Sequence, residues 1–140
     1  MMAGELLQEI MVAIGSAVFT FDPVKTEARL RSWLPDHTYH VFLALEDHHA
    51  TGFLALYECY ALYADGVFGT IPELYVRPAY RSRGIGAMLL AEAKAYARAR
   101  GWTRLEVTTP PLPQFERTLA FYERHGFTIT GGRKLKVELS

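Results

Sequence analysis

The residues best placed for chemistry lie in Leu74-Tyr75-Val76-Arg77-Pro78-Ala79-Tyr80-Arg81-Ser82-Arg83-Gly84-Ile85-Gly86. A β-rich run ends, Pro78 enforces a turn, and a glycine loop opens into an Ala/Leu-rich stretch. A helix beginning there presents N–H groups without intrahelical acceptors and the positive end of its dipole, which together bind phosphate oxygens. Gly84 and Gly86 carry no Cβ, so a ligand can approach the backbone. Arg77, Arg81 and Arg83 add charge for an anion. Taken alone, the same glycines equally fit a plain strand-turn-helix junction with solvated arginines. Just upstream, Glu73 is a strand carboxylate able to take up a proton, or simply to make a strand salt bridge. Strand alternation puts Glu73, Tyr75 and Arg77 on one face and Leu74 and Val76 on the other. Glu106 is a second choice of base. Tyr122 carries a phenol that could donate a proton. As a core aromatic beside Phe121 it would need no chemistry.

Arg81-Ser82-Arg83-Gly84-Ile85-Gly86 closely resembles the acyl-CoA-binding motif of the GNAT superfamily of N-acetyltransferases, in which Arg or Gln, two residues and Gly precede one residue and Gly or Ala. The run Val76-Arg77-Pro78-Ala79-Tyr80-Arg81 also follows that pattern. Phe121-Tyr122-Glu123-Arg124-His125-Gly126-Phe127 resembles the family's Phe-Tyr-x-x-x-Gly-Phe. The resemblance covers roughly residues 52–131. It implies direct acetyl transfer from acetyl-CoA, a cosubstrate, to a primary amine of a small molecule or peptide, through a ternary complex without a metal. Of the motif Arg81, Ser82, Arg83, Gly84, Ile85, Gly86 and the following Ala87, the amides of residues 83–87 would hold the pyrophosphate. Leu74 and Val76 would pair through their backbone with the pantetheine arm. A backbone N–H in residues 75–77 would bind the thioester carbonyl. Tyr122 would lie near the sulfur and protonate the leaving thiolate, and Glu73 would take the amine's proton, directly or through water. Phe115 and Thr118 stand where many members have Asn and Ala, which leaves open a non-catalytic acyl-CoA-binding or sensing module of the same fold. An RNA-associated protein is a third reading, motivated only by the arginines.

The elements that must position these residues form one expected domain, residues 1–140. The chain has no net charge, with 15 basic against 15 acidic residues, and is 50% hydrophobic. Such a chain buries roughly two thirds of its surface on folding, which excludes disorder. The charge balance argues against a nucleic-acid partner. One cysteine excludes a disulfide framework, and no run approaches the ~20 residues of a membrane span. The apolar stretch at residues 10–19 lacks a preceding basic region. It reads instead as a helix over residues 4–19 with Leu6, Leu7, Ile10, Met11 and Ile14 on one face. The expected compartment is the cytoplasm. Asp22-Pro23 starts a second helix carrying Val24, Ala28, Leu30 and Leu34 and ending at Pro35. Strands at 39–45, 53–63 and 67–76 make an antiparallel meander. A helix over 85–100 ends at Gly101. A strand at 105–108, a Pro-rich loop, a helix near 114–125 and a closing strand pair at 127–130 and 135–139 follow. The order is α+β in three layers, α/β/α, around one mixed, mostly antiparallel sheet, with the superfamily's first strand apparently missing. One sheet edge is then left for another chain to cover, and a homodimer is expected on that ground. His37, His40, His48 and His49 lack metal-ligand spacing. Cys59 reads as buried and structural. Tyr57, Tyr60 and Tyr63, with Phe42 and Phe68, fit either sheet core or an amine pocket.

Overall fold

The computed structural model describes residues 2, 4–5, 22–33, 39–109 and 113–139, which fall into two compact units, Met1–Thr108 and Thr109–Ser140. Gly4 and Glu5 are helical; the rest of the helix expected at 4–19, and Leu34, Pro35 and His37, lie outside the described residues. Helix α1 is Pro23–Trp33. Asp22 caps it as expected, its Oδ1 accepting the N–H groups of Val24 at 3.0 Å and Lys25 at 3.2 Å. Val24, expected on the apolar face, is exposed. Among the described residues no helix is long and apolar enough to cross a membrane.

The first unit is built on β1 (Tyr39–Glu46), β2 (His49–Ala61), β3 (Gly66–Ile71), β4 (Leu74–Val76) and β5 (Leu105–Val107). The sheet runs β1-β2-β3-β5, with β4 paired to β2. The three-strand meander is antiparallel and β5 joins parallel to β3. Asp47 and His48 turn the first hairpin with φ of 51° and 66°, the left-handed pair that suits the twist of a tight hairpin.

The strand expected over 67–76 is two strands. Tyr57 pairs with Thr70, whereas Leu54 pairs with Leu74, so two residues of β2 face three of its partner. The extra residue is Pro72, which has no N–H to give a ladder. Pairing resumes at once, with Ala55 N–H donating to the Glu73 carbonyl at 2.8 Å. This bulge re-aims the strand. Before it, β3 lies between β2 and β5. After it, β4 has β2 alone among the described strands.

Helix α2, Ile85–Ala99, lays Ile85, Leu89, Leu90, Ala93 and Ala97 into the core. Tyr96 stacks on His40 at 4.3 Å and meets the Trp102 ring edge-on at 5.5 Å. The helix stops at Gly101, φ 75°. Gly101 N–H reaches the Arg98 carbonyl and Trp102 N–H the Ala97 carbonyl, a Schellman stop. That stop swings Trp102 across Gly69. A Cβ on Gly69 would collide with the Trp102 ring and lie 2.8 Å from Leu105. The opposite sheet face buries Met2, Phe53 and Tyr75, with Val41 and Ala50 packed against them.

The second unit carries a single helical turn, Pro113–Phe115, and then α3, Glu116–Arg124. Pro110 and Pro111 lie outside the described residues. The expected strands at 127–130 and 135–139 are not formed. Leu135, Val137 and Leu139 alternate with charged residues as a half-buried strand would, but each is more than three-quarters exposed. Alternation supplies a face, not a ladder, and nothing among the described residues pairs with their N–H and C=O groups.

Candidate active site

Two hydrogen bonds fix which way β4 presents its backbone. Ala55 N–H donates to Glu73 O, and Arg77 N–H to Thr51 O, both at 2.8 Å. In an antiparallel pair these directions alternate. Glu73, Tyr75 and Arg77 therefore spend their backbone groups on β2. Leu74 and Val76 aim theirs at the open edge, as a strand-like ligand requires. Of the N–H groups in 75–77 expected to meet a carbonyl oxygen, Val76 is the one directed outward. Its own carbonyl accepts from Arg81 Nε at 2.8 Å.

The chain leaves that edge through Pro78–Tyr80, one helical turn, and the loop Arg81-Ser82-Arg83-Gly84. Ser82 and Gly84 take left-handed φ of 64° and 80°. Gly84 is the N-cap of α2, with no side-chain cap on the helix. The first helical bond runs from Met88 N–H to Gly84 O at 3.0 Å. The N–H groups of Ile85, Gly86 and Ala87 thus have no acceptor inside the helix. A Cβ on Gly84 would meet nothing within 4 Å, so the space above it is open. The donors and the space fit a pyrophosphate.

The three arginines part company. Arg81 holds the Val76 carbonyl and lies 5.5 Å from the Tyr75 ring. Arg83 lies 5.5 Å from the Tyr80 ring and reaches Glu46 at 3.3 Å, which offsets part of its charge. Arg77 does not join the loop. Alternation turns it to the other face, where it donates to Ala50 O at 2.7 Å and to Glu5 at 3.3 Å. It is a strut between the end of β4 and Glu5.

Glu73 lies on that other face too, at the bulge. Burial raises its pKa above the ordinary carboxylate range, against the opposing effect of a hydrogen bond donated by the Tyr39 hydroxyl to Oε2. Such a carboxylate is a better proton acceptor than an exposed one. Tyr39 is 34 residues away in sequence and was not singled out by its local pattern. Glu106 shares the face, since it pairs with Thr70 across the parallel ladder. It is held by Arg104 at 3.0 Å.

Tyr122 belongs to the second unit, where its motif has a structural meaning. Gly126 N–H reaches Glu123 O and Phe127 N–H reaches Tyr122 O, at 3.2 and 3.1 Å. Gly126 has φ 93°, and Phe127 packs on Tyr122 with ring centroids 5.2 Å apart. The motif's glycine and final phenylalanine are thus a helix stop and its apolar clasp. Tyr122 is buried, and burial pushes its phenol up to about 12.

Tyr57, Tyr60 and Tyr63 do not converge on a pocket. Tyr60 and Tyr63 are exposed. Tyr60 donates to Glu58, and Tyr63 with Phe68 sits beneath Arg104. Phe42 faces α2 instead, beside Tyr96. Cys59 is half-buried, its Sγ 3.2 Å from Thr70 Oγ1. No metal-binding cluster occurs among the described residues.

Known proteins resemble this chain in family and fold. The family model described as Acetyltransferase (GNAT) family matches residues 7–127. YhfO of Bacillus subtilis (strain 168), an uncharacterized N-acetyltransferase, is 31% identical over 101 residues. That match covers 72% of this chain and 66% of the relative, so the chain spans just under two thirds of that protein's length. An integron cassette protein, HFX_CASS3, from the mobile metagenome of Cole Harbour Salt Marsh superposes with TM-score 0.80 at 23% identity, over 99% of this chain and 81% of its own. The aminoglycoside acetyltransferase meta-AAC0020, from an uncultured soil metagenomic sample, superposes with TM-score 0.76 at 18% identity, over 96% and 86%. A transcriptional regulator from Bacillus halodurans C-125 gives 0.75 at 24%, over 97% and 94%. At these identities the likeness is one of fold: the expected α+β architecture around an open, mostly antiparallel sheet.

Proposed function

The chain belongs to the acetyltransferase (GNAT) family, and from that premise we propose that it transfers the acetyl group of acetyl-CoA to the primary amine of a small molecule or peptide. The observation that carries this reading is the meeting of an outward-facing β4 edge with an uncapped helix start, both within one strand-loop-helix. Loop residues Arg81, Ser82, Arg83 and Gly84, with the N–H groups of Ile85, Gly86 and Ala87, hold the pyrophosphate. Leu74 and Val76 pair with the pantetheine arm, and Val76 N–H binds the thioester oxygen as it gains negative charge. Glu73 accepts the proton of a neutral amine as the C–N bond forms. The C–S bond breaks with its electron pair on sulfur. Tyr122, assigned by its motif, gives that sulfur a proton and regains one from water. Its raised pKa keeps it protonated throughout the neutral range, so the proton is present when the reaction starts.

The test is calorimetric titration with acetyl-CoA, followed by thiol release with kanamycin, spermidine, lysine and an alanine-initiated peptide. Binding and turnover with one of them are expected. No binding at millimolar acetyl-CoA overturns the reading. Binding without thiol release favours the sensing module, which the substitution of Phe115 and Thr118 at two motif positions keeps in play. Tyr122→Phe should slow transfer about tenfold or more while leaving acetyl-CoA affinity nearly unchanged.

A further inference from the structure

Glu73 stands on the bulge, where β5 no longer follows the strand, so no ladder neighbour on that side fixes its side chain. Its side chain is half-buried, and its hydrogen-bond partner among the described residues is the Tyr39 hydroxyl, which donates to Oε2. Tyr39 is itself held firmly. It opens β1 directly across from Tyr57, and its ring lies 5.2 Å from Trp33 at 54°. Both belong to the sheet face that carries Glu73. A carboxylate has about four lone-pair sites, so one donor on Oε2 leaves Oε1 able to accept a proton.

Resting on the assignment of Glu73 as the base, we propose that Tyr39 is a positioning residue for the transfer, its hydroxyl pinning Oε2 so that Oε1 receives the proton of the attacking amine. In that step the N–H bond breaks as the C–N bond forms, and the proton passes to Oε1 and then to water. Tyr39 keeps its own proton, because burial, reinforced by Glu73, raises its phenol far above the ordinary value. It orients the carboxylate without competing for the proton.

Among the described residues, the other titratable groups near this face have these surroundings. Arg77 is engaged by Glu5 and Ala50 O. Glu106 is engaged by Arg104. Tyr57, Cys59 and Tyr75 share the face by strand register. Lys25, Glu27, Arg29 and Arg31 of α1 are solvent-facing or half-exposed, with Glu27 and Arg31 paired to each other. The pH response of Glu73 therefore reports Tyr39 first.

The experiment labels the full chain with glutamate carrying ¹³C at the side-chain carboxyl and assigns Glu73 by its loss in Glu73→Gln. Tyr39→Phe should move the Glu73 titration midpoint up by about one unit, the effect of removing one hydrogen bond to a charged group. The acid limb of kcat/KM, measured with the fastest of the four amines above, should move up with it. An unmoved or lowered midpoint in an active chain overturns this proposal alone. A moved midpoint with an unmoved acid limb also overturns it, since Glu73 would not be the group limiting transfer. A wild-type chain that binds acetyl-CoA and acetylates none of the four amines overturns the assignment of Glu73 and this proposal together. Should Tyr39→Phe not fold, 3-fluorotyrosine at position 39, a stronger donor of similar size, carries the test with opposite sign, and the midpoint should fall.

Discussion

The strands β3 and β4 are consecutive stretches of one chain with opposite surroundings. Around β3 the sheet is closed, with β2 on one side and β5 on the other. Around β4 it is open, with β2 alone among the described strands. Each half has a critical glycine, and the two are glycine for different reasons. Gly69 makes room for the protein's own Trp102, while a Cβ on Gly84 would meet no atom of the described residues within 4 Å. The closed half uses its small residue for packing. The open half uses its small residue to keep a surface reachable. One proline separates the closed half of the sheet from the half proposed to carry the chemistry.

The largest effect should come from the closed half. Gly69→Val drives a branched side chain into Trp102 and Leu105, and overpacking of this kind costs about 3 kcal/mol or more. Thermal denaturation should show a fall on the order of 10 °C. An unchanged midpoint would mean that Trp102 does not lie across the sheet as described.

Next come the two carboxylates of the shared face. Glu73→Gln should lower kcat about 100-fold, while Glu106→Gln should change it by less than about twofold. Equal effects would erase the distinction between a carboxylate buried against a phenol and one held by Arg104. The buried one also has a pH signature. Because its pKa is raised in the folded chain, Glu73 contributes stability that is present below the ordinary carboxylate range and lost as pH rises through its folded value. Glu73→Gln should therefore raise the melting temperature at pH 7, with the gain fading below about pH 4. The acid limb of wild-type kcat/KM should lie above that of an exposed carboxylate.

The smallest effect belongs to the open half. Gly84→Ala should cost only about 1 kcal/mol of stability, because the penalty is a left-handed φ and not a clash. The same change should weaken acetyl-CoA binding about tenfold by calorimetry. If stability fell sharply and binding did not, the roles of the two glycines would be reversed.

Legibility followed the range of the interactions. The loop Arg81-Ser82-Arg83-Gly84 was readable because its geometry is local: a proline turn, two left-handed residues and a helix start within a few positions. The outward aim of Leu74 and Val76 followed from period-two alternation. The same rule turned Arg77 away from the loop, although its charge suggested the opposite role. Tyr39 was invisible, because its meeting with Glu73 depends on the β1-β2 register and on one extra residue at Pro72, neither of which composition encodes. The segment from Phe127 onward was misread for a related reason. Its alternation is real, but a strand requires a partner ladder that a single segment cannot reveal.

The Arg81 bond to the Val76 carbonyl has a consequence for solubility. A strand edge kept available to a ligand is equally available to the edge of another chain, which is how sheet proteins begin to aggregate. Here the exposed edge is three residues long, follows a kink, and has one of its outward acceptors occupied by a guanidinium. That arrangement guards the ligand-free chain against edge-to-edge association while leaving the Val76 N–H able to engage a partner of the right shape.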